Sequence, residues 1–299
     1  MNLFNELIVA LIPFTPRAVV ARFAKPYIAG EQLSDAVAAV HSINGAGAMA
    51  TVDVLGEDIS TRDEAVAARG ECKRVLSAIA EQRLDANLSI KLTQLGLKID
   101  TGFCRSNVEE ILSAAKERNI FVRIDMEDHT CTDDTLRVFR DVRKTFANVG
   151  IVIQAYLRRS ENDIRQLIAE RANVRLCKGI YSEPAEIAFK KRGEIQQNYL
   201  RLLRMLLETR TNVGIATHDD LLIEGAKNMI RELNLSRGEY EFQMLLGVRT
   251  EKRRSLIGEG HRLRVYTPFG KQWYAYSVRR LKENPQIAGY VFASMFMKS

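Results

Sequence analysis

Eight short β-branched or apolar runs alternate with amphipathic stretches along most of this chain, and that rhythm constrains the fold more than any single motif. Strands are expected at 49–55, 88–92, 121–125, 151–156, 174–177, 213–217, 241–245 and 263–266. A strand followed each time by a helix-period stretch is the pattern of βαβ units and a parallel sheet. Eight such units in series, with no change of rhythm, predict a closed α/β (βα)8 TIM barrel in preference to an open doubly wound sheet. Helical periodicity over 3–23 and 30–42 comes before any strand, so residues 1–45 are expected to form an N-terminal helical extension and 46–299 a single barrel domain. Later helices are expected over 134–146, with Thr132 or Asp133 as N-cap, and over 219–233.

A chain of 299 residues suits one such barrel, and six prolines with no Pro/Ser/Gly-rich stretch leave no candidate linker. No apolar run approaches the roughly eighteen residues that span a bilayer. The stretch from Leu7 to Phe14 lacks the basic flank and small-residue cleavage site of a signal peptide, so a soluble, cytoplasmic protein is expected. Cys72, Cys104, Cys131 and Cys177 show no C-x-x-C spacing, which argues for reduced thiols and against a zinc site; no metal is expected.

The formal charge of +7 suits nucleic acid, anionic lipid or an anionic cofactor alike. Lys190-Lys191-Arg192 and Lys252-Arg253-Arg254 fall within helical periodicity and read as solvated faces. Aromatic residues do not interleave with them as a base-stacking platform requires, so no nucleic-acid partner is expected. Gly45 to Ala50 fits G-x-G-x-x-A, yet it follows a helix and leads into a strand, the reverse of a dinucleotide fingerprint. His129 and Cys131 lack partners at metal spacing, and with the isolated His41 and His261 they read as loop or surface residues.

In α/β barrels the chemistry lies at the C-terminal ends of the strands. Here those ends carry Lys91, Asp125, Gln154, Arg175 running into Lys178-Gly179, Thr217-His218-Asp219, Gln243 and Tyr266. They would converge as a ring of cations, hydrogen-bond formers and one carboxylate around a single mouth. A late helix over 273–283 places Tyr276, Arg279, Arg280 and Glu283 within a sector of about 100°. The two guanidiniums could take the carboxylate of a zwitterion and Glu283 its ammonium. An ordinary Arg279/Glu283 pair on a solvated helix is the plain alternative. Lys91 and Lys178 at strand ends also leave open a Schiff-base aldolase or lyase, and the basic charge leaves open a non-catalytic nucleic-acid-binding barrel.

Several blocks stand in a recognisable order from Asp53 to Glu283: Asp53 to Glu57, Lys91-Leu92-Thr93, Ile124 to Glu127, Ile153 to Tyr156, Arg175 to Tyr181, Ala216-Thr217-His218, Phe242-Gln243, Arg264 to Pro268, and Tyr276 to Glu283. On these the chain resembles the monofunctional bacterial proline dehydrogenases, flavoproteins that oxidise L-proline to Δ1-pyrroline-5-carboxylate. The resemblance implies a distorted (βα)8 barrel closed by the late helix, with FAD held noncovalently at the strand ends. It implies Arg175 near flavin N5, with Gln154 and Met126 beside the ring system. Lys178, Gly179, Ile180, Thr217 and His218 would follow along the pyrophosphate and adenosine. Arg279, Arg280 and Lys91 would bind the proline carboxylate, Glu283 would face the amine, and Tyr181, Leu245 and Tyr276 would shape the pocket.

By the same resemblance Asp125 would hydrogen-bond Tyr266, and these two with Arg175 would form the catalytic group. The implied reaction is hydride transfer from proline C5 to flavin N5, with electrons passing on to a membrane quinone. That acceptor implies transient contact at the inner face of the membrane, and a pyrroline-5-carboxylate dehydrogenase is the expected partner. Two positions depart from the family pattern. Ile180 replaces a small residue after Lys-Gly, and Leu246 stands where Tyr or His is common.

Overall fold

A computed structural model describes residues 21, 25–56, 59–274 and 276–278. Helix α1 (Leu33–Gly45) precedes the alternating series: β1 (Met49–Val54), α2 (Arg62–Glu81), β2 (Ala86–Ile90), α3 (Thr101–Glu117), β3 (Val122–Ile124), α4 (Thr132–Arg143), β4 (Val149–Gln154) and α5 (Ser160–Ala169). It continues with β5 (Val174–Cys177), α6 (Arg192–Glu208), β6 (Val213–Ala216), α7 (Asp220–Glu232), β7 (Tyr240–Leu245), α8 (Thr250–Gly258) and β8 (Leu263–Phe269). The strands follow chain order around a closed barrel, every pairing is parallel, and β8 returns to β1 from Met49↔Arg264 to Val54↔Phe269. The barrel expected from the rhythm is the barrel found.

Local chemistry explains the elements. At the start of α2, Thr61 and Glu64 form a capping box, the Thr61 hydroxyl taking the Glu64 N–H and the Glu64 carboxylate taking the Thr61 N–H. The helix then buries Ala65, Ala68, Cys72, Val75, Leu76 and Ile79, spaced three or four apart, against the outside of the barrel. On the strands the outward set is apolar, with Ile90, Ile124, Ile151, Leu176, Ile215, Phe242 and Val265 almost fully buried beneath the helices.

The inward set is polar. Barrel interiors are usually packed by Val, Ile and Leu, whereas here Asn87, Ser89, Arg123, Asp125, Arg175, Gln243 and Arg264 are buried and Glu241 is half-buried. Buried charge is tolerated only when paired. Arg264 accordingly grips both oxygens of Glu241, at 2.6 and 3.1 Å, and Arg123 donates to the Ile151 and Asn173 carbonyls. These contacts form a floor beneath the strand ends.

Boundaries shift where a neighbour decides them. The helix after β3 begins at Thr132, so Thr132 and Asp133 are its first residues and Thr132 is not its cap. The cause is a 3₁₀ turn, His129–Cys131, capped by Asp128 and running directly into the helix. Strand β4 starts earlier than its β-branched run because Val149 and Gly150 pair with Val122 and Arg123. The G-x-G-x-x-A stretch is the α1–β1 turn, and its Ala46 and Gly47 N–H groups are bonded to helix carbonyls. Helix α1 packs across β1 and β8, and Trp273 Nε1 donates to Glu31 at 2.6 Å, tying the start of the late helix to the entry of α1. The stretch expected to be helical over 3–23 lies outside the described residues apart from Ala21.

Candidate active site

One carboxylate organises the C-terminal mouth. Asp125, immediately after β3, receives Ser89 Oγ (2.7 Å) and Arg175 Nη1 (2.9 Å) at Oδ1, and the Tyr266 hydroxyl (2.8 Å) at Oδ2. Lys91, immediately after β2, donates to Asp53 Oδ1 at 2.7 Å and to the Tyr266 hydroxyl at 3.3 Å, and its Nζ lies 3.6 Å from Asp125 Oδ2. The Arg175 guanidinium also stands 5.3 Å from the centre of the Tyr266 ring.

Burial would raise the Asp125 carboxyl, but the charges of Arg175 and Lys91 outweigh it and hold that carboxyl below its ordinary value. For Asp53 burial prevails over Lys91, with the Asp125 charge acting in the same sense, and its carboxyl is held up. Burial and the nearby Asp125 and Asp53 push the Tyr266 phenol well above its ordinary range, so it stays protonated and donates.

Above this network opens a cavity of about 1000 Å³, its open mouth included. Lys91, Asp125, Arg175 and Tyr266 form its polar floor, while Met126, Val152, Ile180, Met244 and Leu245 supply apolar wall. Gln154, Lys178, Gly179, Tyr181, His218 and Tyr276 also line it. Thr217 does not: it is buried, and its hydroxyl accepts the Asp219 N–H at 3.2 Å. Arg279, Arg280 and Glu283 lie outside the described residues. The helix expected to carry them begins inside, where Ser277 Oγ donates to the Trp273 carbonyl at 2.6 Å and Tyr276 is buried at the cavity wall.

Supporting bonds hold the lining in place. Gln154 donates to the Glu127 carbonyl at 2.9 Å, and Lys178, Arg192 and Gln196 converge on Asp219 Oδ2. His218 Nε2 accepts the Leu245 N–H at 2.9 Å, which leaves Nδ1 to carry the ring proton. Several participants carried no assigned role in the sequence: Asp53, Ser89, Val152, Cys177, Ala216 and Met244. Period-two counting could have found Ser89, Val152, Cys177 and Ala216, each two positions from a residue already singled out.

A cationic floor beneath an apolar wall suits a small anion beside a flat, amphipathic ring system. Arg175 is 5% exposed, and its Nε and Nη2 have no hydrogen-bond partner, a donor set that fits the heteroatoms of a flavin. Lys91 is ion-paired to Asp53, whereas a Schiff-base lysine must be neutral to attack. No cluster of metal-ligating side chains occurs among the described residues. A second cavity, about 770 Å³, opens at the opposite end of the barrel around Arg123, Glu241 and Arg264, away from the ends where barrels carry chemistry.

The comparisons with known proteins agree with this geometry. A family model described as "Proline dehydrogenase" matches residues 36–292. The chain is 38% identical to "Proline dehydrogenase 1" of Bacillus subtilis subsp. natto over 275 residues, 92% of this chain and 91% of that protein. It is 35% identical to "Proline dehydrogenase" of Deinococcus radiodurans over 277 residues, 91% of this chain and 89% of that one. Among solved structures it resembles proline utilization A (PutA) from Bdellovibrio bacteriovorus inactivated by N-propargylglycine, with a TM-score of 0.84 and 25% identity. That match covers 95% of this chain and only 36% of the PutA chain.

Proposed function

The chain belongs to the proline dehydrogenase family, and from that membership we propose that it is an FAD-dependent enzyme oxidising L-proline to Δ1-pyrroline-5-carboxylate, the first step of proline catabolism. The observation that carries this reading is Arg175, a buried guanidinium with unfilled donors at the floor of an apolar-walled cavity.

Met126, Gln154 and Arg175 would hold the flavin ring system, and Lys178, Gly179, Ile180 and His218 the pyrophosphate and adenosine, with Thr217 supporting the Asp219 turn beside them. When bound, FAD supplies at N5 the acceptor for the hydride that leaves proline C5. Lys91, Arg279 and Arg280 take the proline carboxylate and Glu283 faces the amine, which orients C5 and lowers the entropic part of the barrier. Tyr181, Leu245 and Tyr276 close the pocket against water. Arg175 offers positive charge where negative charge gathers during the reaction. Asp125 is the counter-ion that lets Arg175 and Lys91 share one floor, and Tyr266 fixes its orientation. Proline must give up an ammonium proton before hydride departs, so the rate rises with pH.

A membrane quinone is the proposed final acceptor, reached by a cytoplasmic protein in transient contact with the inner face of the membrane. No described helix is long and apolar enough to cross a bilayer. A pyrroline-5-carboxylate dehydrogenase is the proposed partner, since the product is its substrate. The assignment of 46–299 to one barrel domain reaches past the described residues and belongs to the same proposal.

The test is an anaerobic titration. The purified protein is expected to be yellow and its visible band to bleach on addition of L-proline, with no adduct on borohydride trapping. A colourless protein that stays inert after FAD is supplied would overturn the reading.

A further inference from the structure

Between Lys178 and Ile187 the chain leaves β5 and forms cavity wall at Lys178, Gly179, Ile180 and Tyr181, yet almost nothing apolar anchors it. Ile180 is 39% exposed, and within this stretch the buried residue is a carboxylate, Glu183, at 4%. Its Oε1 accepts the His129 N–H at 2.9 Å and the Tyr156 hydroxyl at 3.4 Å, its Oε2 meets His129 Nδ1, and its carbonyl accepts the Lys190 ammonium. Loops following β3, β4 and β5 therefore meet on one side chain. Tyr156 completes the contact, because its ring fills the space where a Cβ on Gly179 would stand and its N–H donates to the Lys178 carbonyl at 2.9 Å. Burial and the adjacent Glu183 push the Tyr156 phenol up, so it remains a donor.

We propose that Glu183 is a positioning residue whose carboxylate, bolted to His129 and Tyr156, holds the 178–181 segment in the shape that the cofactor site requires. The proposal rests on the FAD reading above. A buried carboxylate is costly unless its hydrogen bonds are made, and one loop conformation brings all of these donors to it. The bolt thus replaces the missing apolar anchor.

The test uses the full-length Glu183→Ala, Glu183→Gln and His129→Ala variants, read by hydrogen–deuterium exchange and by FAD dissociation constant. In Glu183→Ala, exchange over 178–187 is expected to accelerate about tenfold or more while the barrel strands stay protected, and FAD binding is expected to weaken about tenfold or more. Glu183→Gln keeps an acceptor for the His129 and Tyr156 donors and is expected to recover most of the affinity, with His129→Ala intermediate. Unchanged exchange, acceleration spread through the strands, or a loosened loop with unaltered FAD affinity would each overturn the proposal. A wild-type protein that takes up no FAD would remove the cofactor reading by itself, while exchange over 178–187 still decides whether Glu183 holds the loop.

Discussion

Tyr266 donates its hydroxyl to Asp125 at 2.8 Å across 141 positions of sequence, and the same carboxylate holds the Arg175 guanidinium on its other oxygen. Removing one member of a buried charged pair leaves the other uncompensated, at a cost of about 3–5 kcal/mol. Asp125→Ala is therefore expected to lose stability on that scale in urea denaturation. Tyr266→Phe removes a single hydrogen bond and should cost about 1 kcal/mol. Because the Tyr266 phenol lies well above its ordinary range, this variant should lower turnover and leave the rising limb of the rate–pH profile in place. A displaced limb would mean that Tyr266 itself titrates in the reaction.

The floor of the barrel sets an acid limit. Burial would raise the Glu241 carboxyl, but Arg264's charge and hydrogen bonds hold it below the ordinary 4.5. A depressed folded value stabilises the protein fully above the unfolded value, and that contribution is lost as pH falls through the folded value. Asp125 acts in the same sense, whereas Asp53, held up, contributes in the opposite one. Unfolding free energy should accordingly drop below about pH 4.5, and Glu241→Gln should flatten that drop while lowering stability at neutral pH. Equal slopes in the two proteins would assign the acid limb to other carboxylates.

Gly179 has φ +107°, and a Cβ there would lie 2.1 Å from Tyr156 Cδ1. Gly179→Ala therefore combines backbone strain with a clash, about 1–3 kcal/mol for the strain alone. The expected outcome is a lower melting temperature and a reduced ratio of visible to protein absorbance after purification. Full flavin retention would show that the loop tolerates a side chain against Tyr156.

Arg279→Met and Arg280→Met test the proposed carboxylate clamp. Hydrogen bonds to a charged group are worth about 1.5–3 kcal/mol, so the KM for proline should rise roughly tenfold to hundredfold in each variant with FAD still bound. Unchanged proline kinetics in both would return that helix to an ordinary surface ion pair.

Much of the fold is written locally. The run Val174–Cys177 is a strand because a short stretch, apolar but for Arg175, is bounded by polar turns, and α2 begins at Arg62 because Thr61 and Glu64 form a capping box. Closure into a barrel follows from eight such units without a break in rhythm. Lys91, Asp125, Arg175 and Tyr266 were legible in the same way, as polar residues in or just after apolar runs, although Arg175 is the second residue of β5 and β8 continues past Tyr266 to Phe269. Apart from the Asp125–Tyr266 hydrogen bond, which the family resemblance implied, what each of them touches was not. Asp53 and Ser89 enter the network, and His129, which reads as a surface loop residue, meets Glu183 54 positions later, only because the barrel brings distant strand ends together. The sequence by itself determined which elements form and which ends carry chemistry, because period and capping are short-range. Tertiary structure alone decided which charges neutralise each other, because burial and pairing exist only once the barrel has closed.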